Sequence, residues 1–67
     1  MSESNISKIV KKHRENKELS QEKLVRLANV SNNTIVNIEA GKQNNPTIET
    51  LKRIARALDI DISELIK

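Results

Sequence analysis

Residues 19–41 read LSQEKLVRLANVSNNTIVNIEAG, and the order of residue types in this stretch decides the architecture. Two apolar-serine pairs, Leu19-Ser20 and Val30-Ser31, each stand shortly before another apolar residue, Leu24 and Ile35 respectively. A serine oxygen accepts a hydrogen bond from an otherwise unpaired N–H at a helix start, and the flanking apolar residues close over it as a staple. The phrase therefore predicts one helix over 21–28 and a second over 32–40, joined only by Asn29-Val30-Ser31. So short a connection forces the axes to cross steeply, and side chains must fill the inside corner. Leu24, Val25, Ala28, Val30, Ile35 and Ile38 are the available fillers. Asn29 occupies the bend, where left-handed backbone is expected and asparagine tolerates it better than most residues. Gly41 suits a left-handed end to the second helix.

Working outward, Ile6, Ile9, Val10 and His13 form a helical stripe that predicts a helix over 5–16. Ile48, Leu51, Ile54, Ala55 and Leu58 form a longer one, flanked by Lys52, Arg53 and Arg56, and predict a helix over 47–58. Pro46 blocks continuation from the preceding segment, and Thr47 is the expected cap. The start phrase returns as Ile60-Asp61…Leu65, with Asp61 and Glu64 at capping-box spacing, and predicts a last helix over 62–66. Strand-like alternation persists nowhere. The expectation is an all-α, compact five-helix domain occupying residues 1–67, with its helix-turn-helix at about 21–40.

Composition narrows the function. At 67 residues the chain is near the lower size for a self-sufficient core, and without cysteine it has neither disulfides nor thiolate metal sites. The absence of Phe, Trp and Tyr excludes the base-stacking modes of single-strand binding. Twelve Lys and Arg against nine Asp and Glu leave a charge of +3, biased to the N-terminal two thirds and compatible with a polyanionic partner. No apolar run has membrane-spanning length and the N-terminus lacks a signal-peptide layout, so a cytoplasmic protein is expected.

The outer side of the second helix in the pair carries Asn32, Asn33, Val36 and Asn37, with Thr34 nearby. Asparagine is a poor helix former, and a face meant only for water is better built from Lys, Glu or Gln. In a major groove the same residues are useful, since Asn bonds an adenine edge bidentately and Val touches a thymine methyl. Asn32 and Asn33 have a competing explanation as helix-start residues; Asn37, in mid-helix, has none. Three asparagines lead us to expect an operator rich in A·T pairs.

The set Leu19-Ser20-Gln21-Glu22-Lys23-Leu24, Val30-Ser31-Asn32-Asn33-Thr34-Ile35, Ile38-Glu39-Ala40-Gly41-Lys42 and Pro46-Thr47-Ile48-Glu49-Thr50-Leu51 resembles the Cro/repressor-type (XRE-like) helix-turn-helix family, over about residues 6–66. The resemblance implies a phage-repressor-like DNA-binding domain. It implies base contacts from Gln21, Asn32, Asn33 and Asn37, with Val36 and Thr34 as further candidates. Phosphate contacts are implied for Gln21, Lys42, the Gln43-Asn44-Asn45 loop and Lys11. Arg14 and Glu39 are implied to pair, tying the first helix to the end of the reading helix. Glu18, Asn29 and Asp59 stand where the family usually has glycine, and Glu18 costs about 1 kcal/mol if its turn is unchanged. Val25 replaces the usual alanine of the corner. Ala40, Asn44 and Asn45 are neutral where relatives often carry polar or basic phosphate-binding groups, so affinity is expected to depend on a second subunit.

Other features have plainer readings. His13, the only histidine, lies on an apolar stripe without cysteine or a carboxylate cluster nearby, and a partly buried structural role is expected. Lys8, Lys11, Lys12 and Arg14 make a solvated face, part of it near the DNA backbone. Ile60, Ile62, Leu65 and Ile66 exceed what a short last helix needs; they are expected to finish the core and to offer a homodimer patch, with Ile62 or Ile66 exposed. No nucleophile–base pair, phosphate-binding glycine loop or metal-ligand spacing occurs, so neither an enzyme nor a cofactor, metal or small-molecule site is expected. The expected function is a transcriptional regulator, a repressor that binds a pseudo-palindromic operator on double-stranded DNA as a homodimer. The alternative is a protein-interaction module, such as an antitoxin-like protein or the DNA-binding fragment of a larger regulator. The lack of a recognisable toxin-neutralising tail or ligand-sensing segment favours the former expectation.

Overall fold

The computed structural model describes residues 5–43 and 45–66, apart from the side chain of Asn5. Four α-helices follow one another: α1 (Asn5–Asn16), α2 (Gln21–Ala28), α3 (Asn32–Glu39) and α4 (Ile48–Leu58). The expected fifth helix is a single 3₁₀ turn, Ile62–Glu64. That turn is too short to form i→i+4 bonds of its own. It closes with i→i+3 bonds instead, Glu64 N–H to Asp61 O and Leu65 N–H to Ile62 O, both 2.9 Å. At its start the Asp61 carboxylate accepts from the Ser63 N–H at 3.4 Å.

The helix starts are those written into the sequence. Ser20 Oγ accepts from Lys23 N–H at 3.0 Å, Ser31 Oγ from Thr34 N–H at 3.3 Å, and Thr47 Oγ1 from Thr50 N–H at 3.2 Å. Each cap is worth about 1 kcal/mol.

All four helices also end alike. Glu18, Asn29, Gly41 and Asp59 have φ of 58°, 57°, 79° and 59°. In each case the N–H of the following residue reaches back to the helix: Leu19 to Arg14 O, Val30 to Val25 O, Lys42 to Asn37 O and Ile60 to Ala55 O, at 2.9–3.3 Å. This is the Schellman arrangement, which satisfies the last carbonyls and turns the chain sharply. Leu19, Val30 and Ile60 then pack against the core. Leu19 and Val30 each close one helix and staple the start of the next, so one buried side chain sets two helix boundaries.

Among these turns Glu18 is the misfit, since left-handed backbone costs an L-residue with a long side chain about 1–2 kcal/mol. Glu18 is exposed, and no hydrogen bond or ion pair to another described residue holds its side chain. Glu18→Gly is therefore expected to stabilise the fold by about 1 kcal/mol, net of the extra entropy glycine gives the unfolded chain. Urea unfolding followed by circular dichroism measures it; an unchanged or lowered midpoint would refute it.

The core is one cluster. Val10, Leu24, Ile35, Ile38, Ile54 and Leu58 are fully enclosed, and Ile6, Ala28, Leu51, Ala55 and Leu65 nearly so. Burying an aliphatic side chain of this size stabilises by about 1.5–3 kcal/mol, so every helix contributes. α3 lies against α1 and α2, while α4 covers α2 on the other side and receives the 3₁₀ turn. His13 is half-buried on α1, as its stripe position implied. Ile48 departs from expectation. Although it continues the α4 stripe, it is 57% exposed. Side chains lean toward a helix's N-terminus, and the core stops at Leu51, so the first residue of α4 overhangs it.

Candidate nucleic-acid interface

α3 is divided into two unlike sides. Ile35 and Ile38 are buried, while Asn32, Asn33, Val36 and Ala40 are exposed and Asn37 is half-buried. No side-chain hydrogen bond joins Asn32, Asn33 or Asn37 to another described residue. Thr34 differs from its neighbours. Its hydroxyl shares a 2.8 Å hydrogen bond with Ser31 Oγ, so it belongs to the helix cap as well as to the candidate face.

The end of α3 controls what lies beside that face. Gly41 gives the chain its left-handed turn, and nothing lies within 4 Å of where a Cβ would be. At the other three turns the following residue goes back into the core; here it is Lys42, which is exposed. Lys42 N–H and Gln43 N–H both donate to Asn37 O, at 2.9 and 3.1 Å. The loop is thus tied to the backbone of the central asparagine. Lys42, Gln43 and Asn45 are exposed around it, and Asn44 lies outside the described residues. Lys11 is exposed on α1 one turn before Arg14, whose side chain reaches the end of α3, so it stands on the same side of the helix.

Arg14 and Glu39 do pair. Arg14 Nε donates to Glu39 Oε2 at 2.7 Å and Nη2 to Oε1 at 3.1 Å, while Nη1 donates to Leu19 O at 2.6 Å. The hydrogen bonds that Arg14 donates to Glu39 raise the Arg14 pKa above its ordinary value, against the opposing effect of burial. Glu39 also accepts from Gln21 Nε2 at 2.9 Å. One carboxylate therefore joins α1, the start of α2 and the end of α3, with all its charge partnered by directed donors. The family resemblance implied the ion pair but not this third member. Gln21 was assigned to DNA alone; part of its amide is committed to Glu39, which leaves one N–H and the carbonyl oxygen unbonded.

Arg53 was also missed as a contact. Its guanidinium donates to Asn29 O at 3.0 Å and to Glu49 Oε2 at 2.9 Å, so α4 grips the turn between α2 and α3. Only the i→i+4 spacing of Glu49 and Arg53 was visible in the sequence. Of the candidates for self-association, Ile60 and Ile62 pack against the core, whereas Ile66 is 57% exposed.

A helix-turn-helix family profile matches residues 10–65, nearly the whole of this arrangement. The chain belongs to the Cro/repressor-type helix-turn-helix family. Solved structures agree with that placement. The restriction-modification controller protein C.AhdI from Aeromonas hydrophila is 29% identical, with 92% of each chain covered and a TM-score of 0.86. The N-terminal DNA-binding domain of SinR from Bacillus subtilis is also 29% identical, with 92% of this chain and 90% of that one covered and a TM-score of 0.89. SinR, the master regulator for biofilm formation, in complex with DNA matches at 29% identity and TM-score 0.89, over 92% of this chain and 98% of that one. No curated protein matches the chain by sequence. These neighbours are regulators rather than enzymes. Among the described residues no group of three or more His, Cys, Asp or Glu is placed to hold a metal, and no helix is long and apolar enough to cross a membrane.

Proposed function

We propose that this protein is a sequence-specific transcriptional regulator of double-stranded DNA, a repressor that reads the major groove with α3 as a homodimer, residues 1–67 acting as one helix-turn-helix unit. The observation that carries the reading is the outer face of α3. Asn32, Asn33, Val36 and Asn37 lie on that face without side-chain hydrogen bonds to other described residues, beside a loop that presents Lys42. Amide groups left unpaired in this way are matched to base edges, and a cation at the margin to a phosphate. Gln21 adds its remaining amide groups at the start of α2, where free backbone N–H donors and the helix dipole favour a phosphate oxygen.

The family membership and the DNA complex of SinR support the same reading. For the second subunit, Ile66 is the strongest apolar candidate, with Ile62 at its margin. Selection of bound sites from random duplexes tests the proposal. The expected product is two A·T-rich half-sites whose centres lie about one helical turn apart. Recovery of no common sequence would overturn sequence-specific reading, and a lone half-site would overturn the dimer. In the same assay Lys42→Ala is expected to weaken binding to all duplexes and to flatten the log–log salt dependence by about one unit per subunit. An unchanged slope removes Lys42 from the phosphate contacts.

A further inference from the structure

A groove of about 420 Å³ runs between the C-terminal half of α2 and the outer face of α4. Leu27 stands on one wall, 54% exposed, and Lys52, Arg53 and Arg56 stand on the other with Glu49. A lone surface leucine is ordinary. Here, however, it shares the groove with three cations. Arg53 is held in place by Asn29 O and by Glu49, and that contact uses the one carboxylate lining the groove. Lys52 and Arg56, four residues apart and so on one side of α4, are exposed with no acidic partner among the described residues. The groove thus combines an apolar anchor point with two uncompensated cations.

We propose that this groove binds an acidic segment of a partner protein, which lays an apolar side chain against Leu27 and its carboxylates against Lys52 and Arg56. Charge decides between possible occupants. A second copy meeting this face symmetrically brings Lys52 and Arg56 against their own equivalents, which is repulsive. DNA is the occupant of the proposed reading face, and no lining residue of the groove comes from α3 or from the Lys42 loop. The partner therefore leaves the reading face open and engages the protein while it is on DNA.

The probe is a fluorescein-labelled Glu-rich synthetic peptide with leucines at helical spacing, compared with a twin in which those leucines are serines. Fluorescence anisotropy with the full chain is expected to show the leucine peptide binding about tenfold more tightly, as burial of one half-exposed leucine provides. Leu27→Gln, which keeps helix propensity, is expected to erase that difference. Lys52→Glu combined with Arg56→Glu is expected to abolish binding of both peptides. Both variants should retain the parent's unfolding midpoint and its affinity for the selected duplex. A preference for the leucine peptide that survives Leu27→Gln overturns the proposal. So does loss of duplex affinity in the Lys52→Glu/Arg56→Glu variant, which makes the face a phosphate contact, or self-association of the parent that Leu27→Gln removes, which makes it a dimer face.

Discussion

Arg14→Ala is expected to lower the stability of the fold by about 3–5 kcal/mol, enough to leave a domain of this size largely unfolded at 25 °C. The magnitude follows from what the substitution leaves behind. The Glu39 side chain is 4% exposed and that of Arg14 12%, so removing the guanidinium strands a nearly buried carboxylate. Gln21 still donates one hydrogen bond to it, but an amide carries no charge. Leu19 O loses a donor at the same time, which weakens the turn from α1 into α2. Removing both charges at once is a different case. Arg14→Met with Glu39→Met exchanges the pair for apolar surface and is expected to recover most of the loss. Urea unfolding of the two single variants and the double variant gives the coupling directly. Because the Arg14 pKa is raised in the folded state, its stabilisation is fully present below the unfolded value and is lost only as pH climbs through the folded one. The deficit of Arg14→Ala should accordingly be constant from about pH 6 to pH 9. A deficit under about 1 kcal/mol, or a double variant no better than the worse single one, would show that the pair is a surface-like contact of little worth.

What was legible in the sequence was local chemistry. Ser20, Ser31 and Thr47 cap helices because a hydroxyl three residues before an N–H needs no information from elsewhere in the fold. Asn29 in a left-handed turn follows from the same short-range rules, whereas Glu18 and Asp59 were found through the family's glycine pattern. Contacts between distant segments were visible only where the resemblance supplied them, as for Arg14 and Glu39. Gln21 with Glu39 and Arg53 with Asn29 span 18 and 24 residues, and nothing in their spacing announces them. Ile48 was misjudged for a related reason: periodicity says which side of a helix is apolar but not how far along its axis a neighbour extends. The last helix shrank to a 3₁₀ turn because its start signal was real but Leu65, the residue it stapled toward, is drawn into the core within four residues.

The same turns explain how a core with no aromatic residue builds a candidate reading surface. Leu19, Val30 and Ile60 each bring the chain back to the core immediately after a left-handed residue. Lys42 is the exception, and it occurs at the end of the helix whose asparagine side chains make no hydrogen bond to another described residue. A polar residue there has no reason to turn inward, so the chain leaves the core and the loop beside α3 is formed. The candidate phosphate loop thus follows from one departure in a repeated pattern, and it lies beside the candidate base-reading face because Lys42 N–H and Gln43 N–H both donate to Asn37 O. Glu39, one helical turn after Ile35 and two residues before Gly41, ties the end of α3 to α1 and α2.

Asn37 stands where face and loop meet, and Asn37→Ala is expected to weaken binding to the selected operator by about 1–3 kcal/mol per half-site, doubling in a symmetric dimer. Preference at one base pair of each half-site should relax at the same time. Stability cannot account for such a loss. Alanine is the better helix former, the Asn37 side chain makes no hydrogen bond to a described residue, and the carbonyl that holds Lys42 and Gln43 belongs to the backbone and survives the substitution. The variant should therefore unfold at or above the parent's midpoint while binding less tightly and less selectively. Asn32 and Asn33 offer no test as clean, because both lie in the first turn of α3, where asparagine also suits the helix start. Lys42→Ala provides the contrast, since it should lower affinity for every duplex and leave base preference alone. Binding of the best operator by Asn37→Ala as tightly as by the parent would remove the central asparagine from the reading face. A loss spread evenly over all sequences would instead make it a backbone contact like Lys42.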